Sequence, residues 1–256
     1  MPTPSHEDKV RAVFGSRATI YTTSQPHADQ EVLAWVVRLA KPEPGWRALD
    51  VATGTGHTAF ALAPYVSSVV GIDLTPQMLA EAQALQARLG VTNVSFEVAD
   101  VHRLPFGHAD FDLVTCRRAG HHFSNIRLAL SEMCRVLKPG GRLVIDDRSI
   151  PEDDEVDRIM NALDLLHDES HVREYRPSEW AAMLPEAGFR VESIEPFSRL
   201  RPISQLRRGV DGGNAAEIDR IMSGLTERHR AVMGVTERGG ELHHLHFFVM
   251  IAAVKA

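Results

Sequence analysis

The stretch Arg47–Phe60, RALDVATGTGHTAF, decides the reading of this chain. An apolar run ends in Asp50, Gly54 and Gly56 follow with one residue between them, and a helical pattern then begins. A glycine turn between a strand and a helix turns free backbone N–H groups and the positive end of the helix dipole toward a ligand. Gly54, Gly56 and Ala59 satisfy the loose form of a dinucleotide fingerprint, whereas a P-loop is excluded because no Lys follows the glycines. Asp50 separates the remaining readings, since a carboxylate there repels a pyrophosphate and attracts a ligand carrying an amine and a positive centre. The competing role for Asp50 is structural, turned away from the ligand and accepting backbone N–H bonds.

Outward from this loop, short apolar runs (ALDVAT, SSVVGIDL, VSFEVAD, FDLVTC, GRLVIDD) alternate with helical patterns (HTAFALAPYV, PQMLAEAQALQARLG, IRLALSEMCRVLKPGG). That alternation predicts right-handed βαβ crossovers and a parallel sheet covered on both faces, an α/β doubly wound architecture. Upstream, Val32, Trp35, Val36 and Leu39 recur at helical spacing before KPEPG stops the pattern, and PGG at 139–141 is expected to end a helix sharply. Downstream, 148–188 holds two helical patterns around a polar centre, FRVESIEPF alternates as a strand, and a charged helical stretch covers about 214–233. ELHHLHFFVMIAAVKA closes the chain as a strand, and the two late strands read as a pair at the sheet edge. No repeat or linker interrupts the pattern, so we expect one elaborated domain: 1–45 a helical lid, 46–147 the cofactor-binding core, 148–235 substrate-side helices with a strand, and 236–256 the final strand.

The totals narrow the function. In 256 residues, 28 Lys+Arg stand against 34 Asp+Glu, a formal charge of −6, which argues against nucleic acid as the main partner. The two cysteines, Cys116 and Cys134, form no metal-ligand pattern, and no metal is expected. The start MPTPSHEDKVR has no apolar signal region and FFVMIAAV is too short to span a bilayer, so we expect a cytoplasmic protein without a membrane partner.

Further acids stand at successive strand ends. Asp73, at the end of the run after the glycine loop, suits a two-point grip on ribose hydroxyls; alternatively it helps cap the helix opening near Pro76. Asp100 offers an acceptor for an adenine amine. With Asp50, these carboxylates line one crevice at the carboxyl edge of the sheet.

ALDVATGTGHTA, VVGIDLTPQMLAEAQ, VADVHRLPFGHADFDLVTCRRAGHHF and VLKPGGRLVIDD together resemble, in order and spacing, the motifs of class I S-adenosylmethionine-dependent methyltransferases. The likeness is nearest to the small-molecule branch that includes the ubiquinone/menaquinone C-methyltransferases. It implies a Rossmann-like seven-stranded sheet with its last strand antiparallel. It also implies that the loop of Asp50, Thr53, Gly54 and Gly56 takes the methionine end of S-adenosylmethionine, that Asp73 holds the ribose, and that Asp100 and Val101 meet the adenine. Leu74, Met78 and Arg117 complete the expected cofactor-binding set, and S-adenosylhomocysteine is the expected product.

Phe14 and Tyr21 resemble a lid, with Tyr21 reaching the carboxylate end of the methionine; plain aromatic packing is the competing account. Arg117 and Arg118 depart from the small or apolar residues of a related C-methyltransferase, and either bind an anionic substrate or pair with local acids. His122 and His121 stand where a proton acceptor would be needed, since histidine titrates near neutral pH; packing at the turn is the alternative for His122. Asp147, His171, Arg173 and Tyr175 are candidate substrate contacts. His244 and His246 share one face of the last strand, with His243 opposite, and no carboxylate or Cys accompanies them to suggest a metal. The chain thus reads as an enzyme moving a methyl group from S-adenosylmethionine to a small-molecule carbon, oxygen or nitrogen nucleophile. The alternative is a methyltransferase-fold protein that binds the cofactor without methyl transfer. The helical stretch before the last strand either completes the pocket or forms a homodimer contact.

Overall fold

The apolar runs of the sequence become the strands of one mixed sheet. The computed structural model describes residues 5–22 and 28–256, so parts of the expected lid, 1–4 and 23–27, lie outside the described residues. The helices are α1 (His6–Thr22), α2 (Gln30–Ala40), α3 (His57–Leu62), α4 (Pro76–Leu89), α5 (Ile126–Val136), α6 (Asp154–His167), α7 (Pro177–Glu186), α8 (Gly212–Ser223) and α9 (Glu227–Val232). The strands are β1 (Arg47–Val51), β2 (Ser68–Asp73), β3 (Val94–Val98), β4 (Phe111–Arg117), β5 (Leu137–Ser149), β6 (Phe189–Pro202), β7 (Thr236–Arg238) and β8 (Glu241–Lys255).

Their order is β3-β2-β1-β4-β5-β8-β6, with short β7 added against β8. β1 to β5 pair in parallel, and β8 runs antiparallel to both β5 and β6. The order reverses between β1 and β4, and in open α/β sheets a crevice opens at such a switch point.

Successive side chains of the central strands enter opposite layers, as the pleat requires. Leu49 and Val51 pack with Leu130, Met133 and the fully buried Trp180, on the face covered by α5 and α7. Ala48 joins Val36 and Leu62 on the face covered by α2 and α3. A further apolar cluster, Ile150, Met160, Ile203 and Ile218, ties α6 and α8 to the segment after β6.

Local chemistry sets several boundaries. Asp29 caps α2 by accepting the amides of Glu31 and Val32, and Asp153 caps α6 in the same way. α5 ends at Val136, and PGG lies in a bulge at the start of β5, where Leu137 pairs with Phe111 and Arg142 with Leu113 and Gly140 has a left-handed φ of 73°. The stretch 214–233 is two helices, broken at Gly224 and restarted by the capping hydroxyl of Thr226. The two late strands pair at the sheet edge as expected, with β6 outermost and β8 between it and β5.

One feature shapes the site. Pairing of β5 with β8 stops at Ser149 opposite Phe247, whereas β6 and β8 continue together through Arg199–His246 and Arg201–His244. The two strands therefore project past β5 as a ribbon, joined, among the described residues, only by β7 at 241–243. Among the described residues no helix is long and apolar enough to cross a membrane.

Candidate functional site

A first cleft, about 990 Å³ including its solvent-open mouth, lies at the carboxyl ends of β1, β2 and β4 under α1. Thr53, Gly54, Asp73, Leu74, Met78, Asp100, Val101, Arg117, Tyr21 and His122 line it, so most of the residues expected to bind a cofactor lie together. The loop is fastened to the neighbouring strand: Thr53 N–H donates to the Ile72 carbonyl at 2.8 Å, and Gly54 N–H donates to Asp73 Oδ2 at 2.9 Å. The other Asp73 oxygen accepts the Thr75 amide at 2.9 Å, so Asp73 also opens α4, and the capping and binding accounts of this residue are compatible. Each carboxylate oxygen has a second lone pair for a ligand.

Gly54 and Gly56 both have φ in the left-handed region, at 54° and 86°. A Cβ on Gly54 would meet nothing within 4 Å, whereas one on Gly56 would lie 2.7 Å from the Phe60 ring. Gly54 thus faces open space, and Gly56 admits close packing beneath the helix start. Ala52 and Arg118, also lining the cleft, hold left-handed φ of 51° and 56° without being glycine. Strain of this kind collects at functional sites.

Asp50 does not line the cleft. Its oxygens accept the hydroxyls of Thr53 at 2.6 Å and Thr115 at 2.7 Å, beneath the loop. The expectation that it meets the ligand's positive end is corrected accordingly: Asp50 acts by fixing Thr53. Its burial pushes the carboxyl up to about 6. Asp100 faces the cleft, with Oδ1 accepting the His102 amide at 2.9 Å and Nδ1–H at 2.7 Å.

A second cleft, about 1890 Å³ and open to solvent, meets the first at Phe14, Tyr21, Arg118 and His122. Its walls are α1, the end of α6 and the β6–β8 ribbon, through Arg17, His167, Arg199, Arg201, His246 and Phe248. α1 closes over the junction: His6 donates to the His122 carbonyl at 2.8 Å, Thr22 donates to Glu81 of α4 at 2.9 Å, and the Phe14 and His122 rings meet edge to face at 4.9 Å.

His121 and His122 lie with ring centroids 4.1 Å apart. His122 Nδ1–H donates to the Ser170 carbonyl at 3.0 Å, and His121 Nδ1–H donates to Asp147 Oδ1 at 2.6 Å. Carbonyl and carboxylate only accept, so each neutral ring carries its lone pair on Nε2. Burial pushes both imidazoles below the ordinary histidine value, His121 strongly. Asp147 reaches the His121 amide, at 3.0 Å, because residue 120 is glycine: a Cβ there would lie 2.5 Å from Asp147 Oδ2.

The candidate substrate contacts are largely corrected. Asp147 lines neither cleft and serves His121. Arg173 is held by Asp157 at 2.8 Å and Glu179 at 3.0 Å, and Tyr175 packs on Trp180; neither lines a cleft. His171 is buried, with Nε2 on the side-chain carbonyl of Asn161 at 3.0 Å. Arg117 and Arg118 both reach Asp146, Arg118 at 2.8 Å, which favours the pairing account. The sequence reading missed Arg201, His167 and Asp168, because only the register of β6 on β8 and the end of α6 bring them to this wall.

The family described as Methyltransferase domain matches residues 42–188. The "Uncharacterized methyltransferase YcgJ" of Bacillus subtilis is 38% identical over 185 residues, spanning 72% of this chain and 73% of that protein. Its crystal structure superimposes with a TM-score of 0.83 at 32% identity, covering 88% of this chain and 98% of that one. A demethylmenaquinone methyltransferase of Deinococcus radiodurans is 47% identical over 102 residues, but these are only 39% of this chain and 42% of that protein.

Proposed function

This chain belongs to the methyltransferase-domain family and is an S-adenosylmethionine-dependent methyltransferase; from that premise we propose that it methylates a small molecule held in the second cleft, beside His122. The observation that carries this reading is the junction of the two clefts at Phe14, Tyr21, Arg118 and His122. The finer resemblance, to quinone C-methyltransferases, stays a proposal because the shared residues span less than half of either chain. We also read the chain as one unit, with 1–45 as lid, 46–147 as cofactor core and 148–256 as substrate side and closing strand.

The first cleft fits S-adenosylmethionine on its own chemistry. Gly54 leaves open space where a side chain would stand, and Asp73 keeps lone pairs for ribose hydroxyls after serving Gly54 and Thr75. Leu74, Met78 and Val101 supply apolar surface for a purine beside Asp100. Thr53, Arg117 and Tyr21 lie at the methionine end. When bound, the cofactor supplies an electrophilic methyl group on a sulfonium.

The chain's own residues then have defined tasks. α1 covers the junction on one side, and orientation in such a pocket accounts for several kcal/mol of barrier lowering. The Nε2 lone pair of His122 is available to take a proton from an acceptor hydroxyl, amine or activated carbon, with Ser170 fixing the tautomer. His121, oriented by Asp147, is a positioning residue at its side.

Calorimetric titration with S-adenosylmethionine, S-adenosylhomocysteine and NADH tests the cofactor site, and release of S-adenosylhomocysteine with phenols, quinols, amines and thiols tests turnover. Micromolar binding of the first two ligands with turnover on one acceptor class is expected. NADH binding in their place overturns the reading.

A further inference from the structure

We infer that the acceptor carries an anionic group, a carboxylate or a phosphate, and that this group docks on Arg201 in the second cleft. The inference rests on the reading above, because it identifies that cleft with the acceptor site.

The charge pattern of the cleft carries it. Arg17, Arg118, Arg148, Arg199 and Arg201 all line the walls. The first four have protein carboxylates: Arg17 meets Asp168 at 3.4 Å, Arg118 meets Asp146 at 2.8 Å, Arg199 meets Asp29 at 2.7 Å, and Arg148 meets Asp164 and Glu174, each at 2.5 Å. Arg201 differs. Among the described residues no carboxylate oxygen lies within 4.0 Å of its guanidinium. Its partners are neutral: Nε donates to Gln205 Oε1 at 3.2 Å, and Nη2 points at His167 Nε2 at 3.4 Å. His167 donates its Nδ1–H to the Leu206 carbonyl at 2.9 Å, so its Nε2 presents a lone pair and the ring is uncharged. These contacts orient the fork without neutralising it.

The nearby acids do not supply the missing charge. Arg148, Asp164, Glu174, His244 and His246 are the titratable groups that Arg201 faces besides His167. Asp164 and Glu174 are both taken up by Arg148, at 2.5 Å each, with burial raising the Glu174 carboxyl and Arg148 lowering that of Asp164. His244 and His246 are kept neutral by burial and by the arginines.

The surroundings are those of an anion site with aromatic walls. His246 lines the cleft, and its buried Nε2 has no hydrogen-bond partner among the described residues. His244, opposite Arg201 in the ribbon, has neither ring nitrogen engaged. A half-buried guanidinium without a counter-charge is costly, and an anion from the ligand removes that cost while gaining charge-assisted, two-pronged hydrogen bonds. Phe14, Tyr21 and Phe248 offer flat apolar surface elsewhere in the same cleft, toward its junction with the first, which suits a planar acceptor.

The test is titration calorimetry on protein saturated with S-adenosylhomocysteine, using 4-hydroxybenzoate against its methyl ester and phenyl phosphate against phenol. At least one anion is expected to bind ten-fold or more tightly than its neutral counterpart, and the better of the two distinguishes carboxylate from phosphate. Arg201→Gln is expected to abolish that preference with S-adenosylhomocysteine affinity unchanged, which reports an intact fold; Arg201→Met gives the same readout should the glutamine variant not fold. Equal binding of charged and neutral ligands, no binding by either anion, or an undiminished preference in the folded Arg201 variants overturns the inference. Failure of the wild-type protein to bind S-adenosylhomocysteine overturns the methyltransferase site instead, and the anion preference is then measured without it.

Discussion

Asp73 accepts the amide of Gly54 at 2.9 Å, joining the end of the second strand to the glycine turn that follows the first. The same carboxylate accepts the Thr75 amide, so one side chain sets both the loop and the start of α4. Asp73→Ala should therefore weaken S-adenosylhomocysteine binding by roughly 100-fold, the scale of losing two hydrogen bonds to a charged group. Calorimetry checks this, and a loss under threefold would remove Asp73 from the binding site.

The two loop glycines should separate binding from stability. At Gly54 a methyl group enters open space at a left-handed φ, so Gly54→Ala should cost about 1 kcal/mol of stability while crowding the ligand. At Gly56 the added carbon meets Phe60 at 2.7 Å as well as the φ penalty, so Gly56→Ala should cost roughly 2–4 kcal/mol. Urea titration alongside cofactor binding distinguishes the two patterns.

His122→Gln should lower kcat by about 100-fold or more with an acceptor that must lose a proton, leaving S-adenosylhomocysteine binding within threefold. The pH profile carries a sign as well. Burial lowers the pKa of His122 below 6.5, and protonation removes the lone pair, so kcat/KM should stay level down to that value and fall only below it. An acid limb centred above 6.5 would be incompatible with this histidine as the base.

Asp50 makes a prediction about stability. Burial raises its carboxyl from 3.8 to about 6, so the folded state holds this proton more tightly than the unfolded chain. Its contribution is therefore full below about 4 and lost as pH rises through about 6, a difference on the order of 3 kcal/mol. Asp147 shifts the same way, so the comparison must be between variants. Relative to wild type, Asp50→Asn should lose less stability between pH 4 and pH 8 in chemical denaturation; parallel curves would refute this account.

The glycine turn, Asp73 and Asp100 were legible in the sequence because their placement depends on short spacing within consecutive βα units. Strand parity correctly placed His244 and His246 on one face. The orientation of Asp50 was not legible, since it is decided by Thr115 on a strand far along the chain. Arg173 looked like a substrate contact until α6 supplied Asp157 as its partner. Arg201 and His167 became site residues only through the ribbon register and the end of α6, and no local pattern records either.

The ribbon formed by β6 and β8 beyond Ser149 has its own dynamic consequence. Among the described residues its one further strand is the three-residue β7 beside 241–243, and a ribbon flanked so briefly opens at lower free energy than the sheet interior. Amides around Leu200, on the outer strand, should exchange with solvent hydrogen well before those of Val144 and Ile251, which lie where β5 and β8 are flanked on both sides. The wall that meets the acceptor can thus breathe while the floor beneath the cofactor stays shut, and substitutions that retune one need not disturb the other.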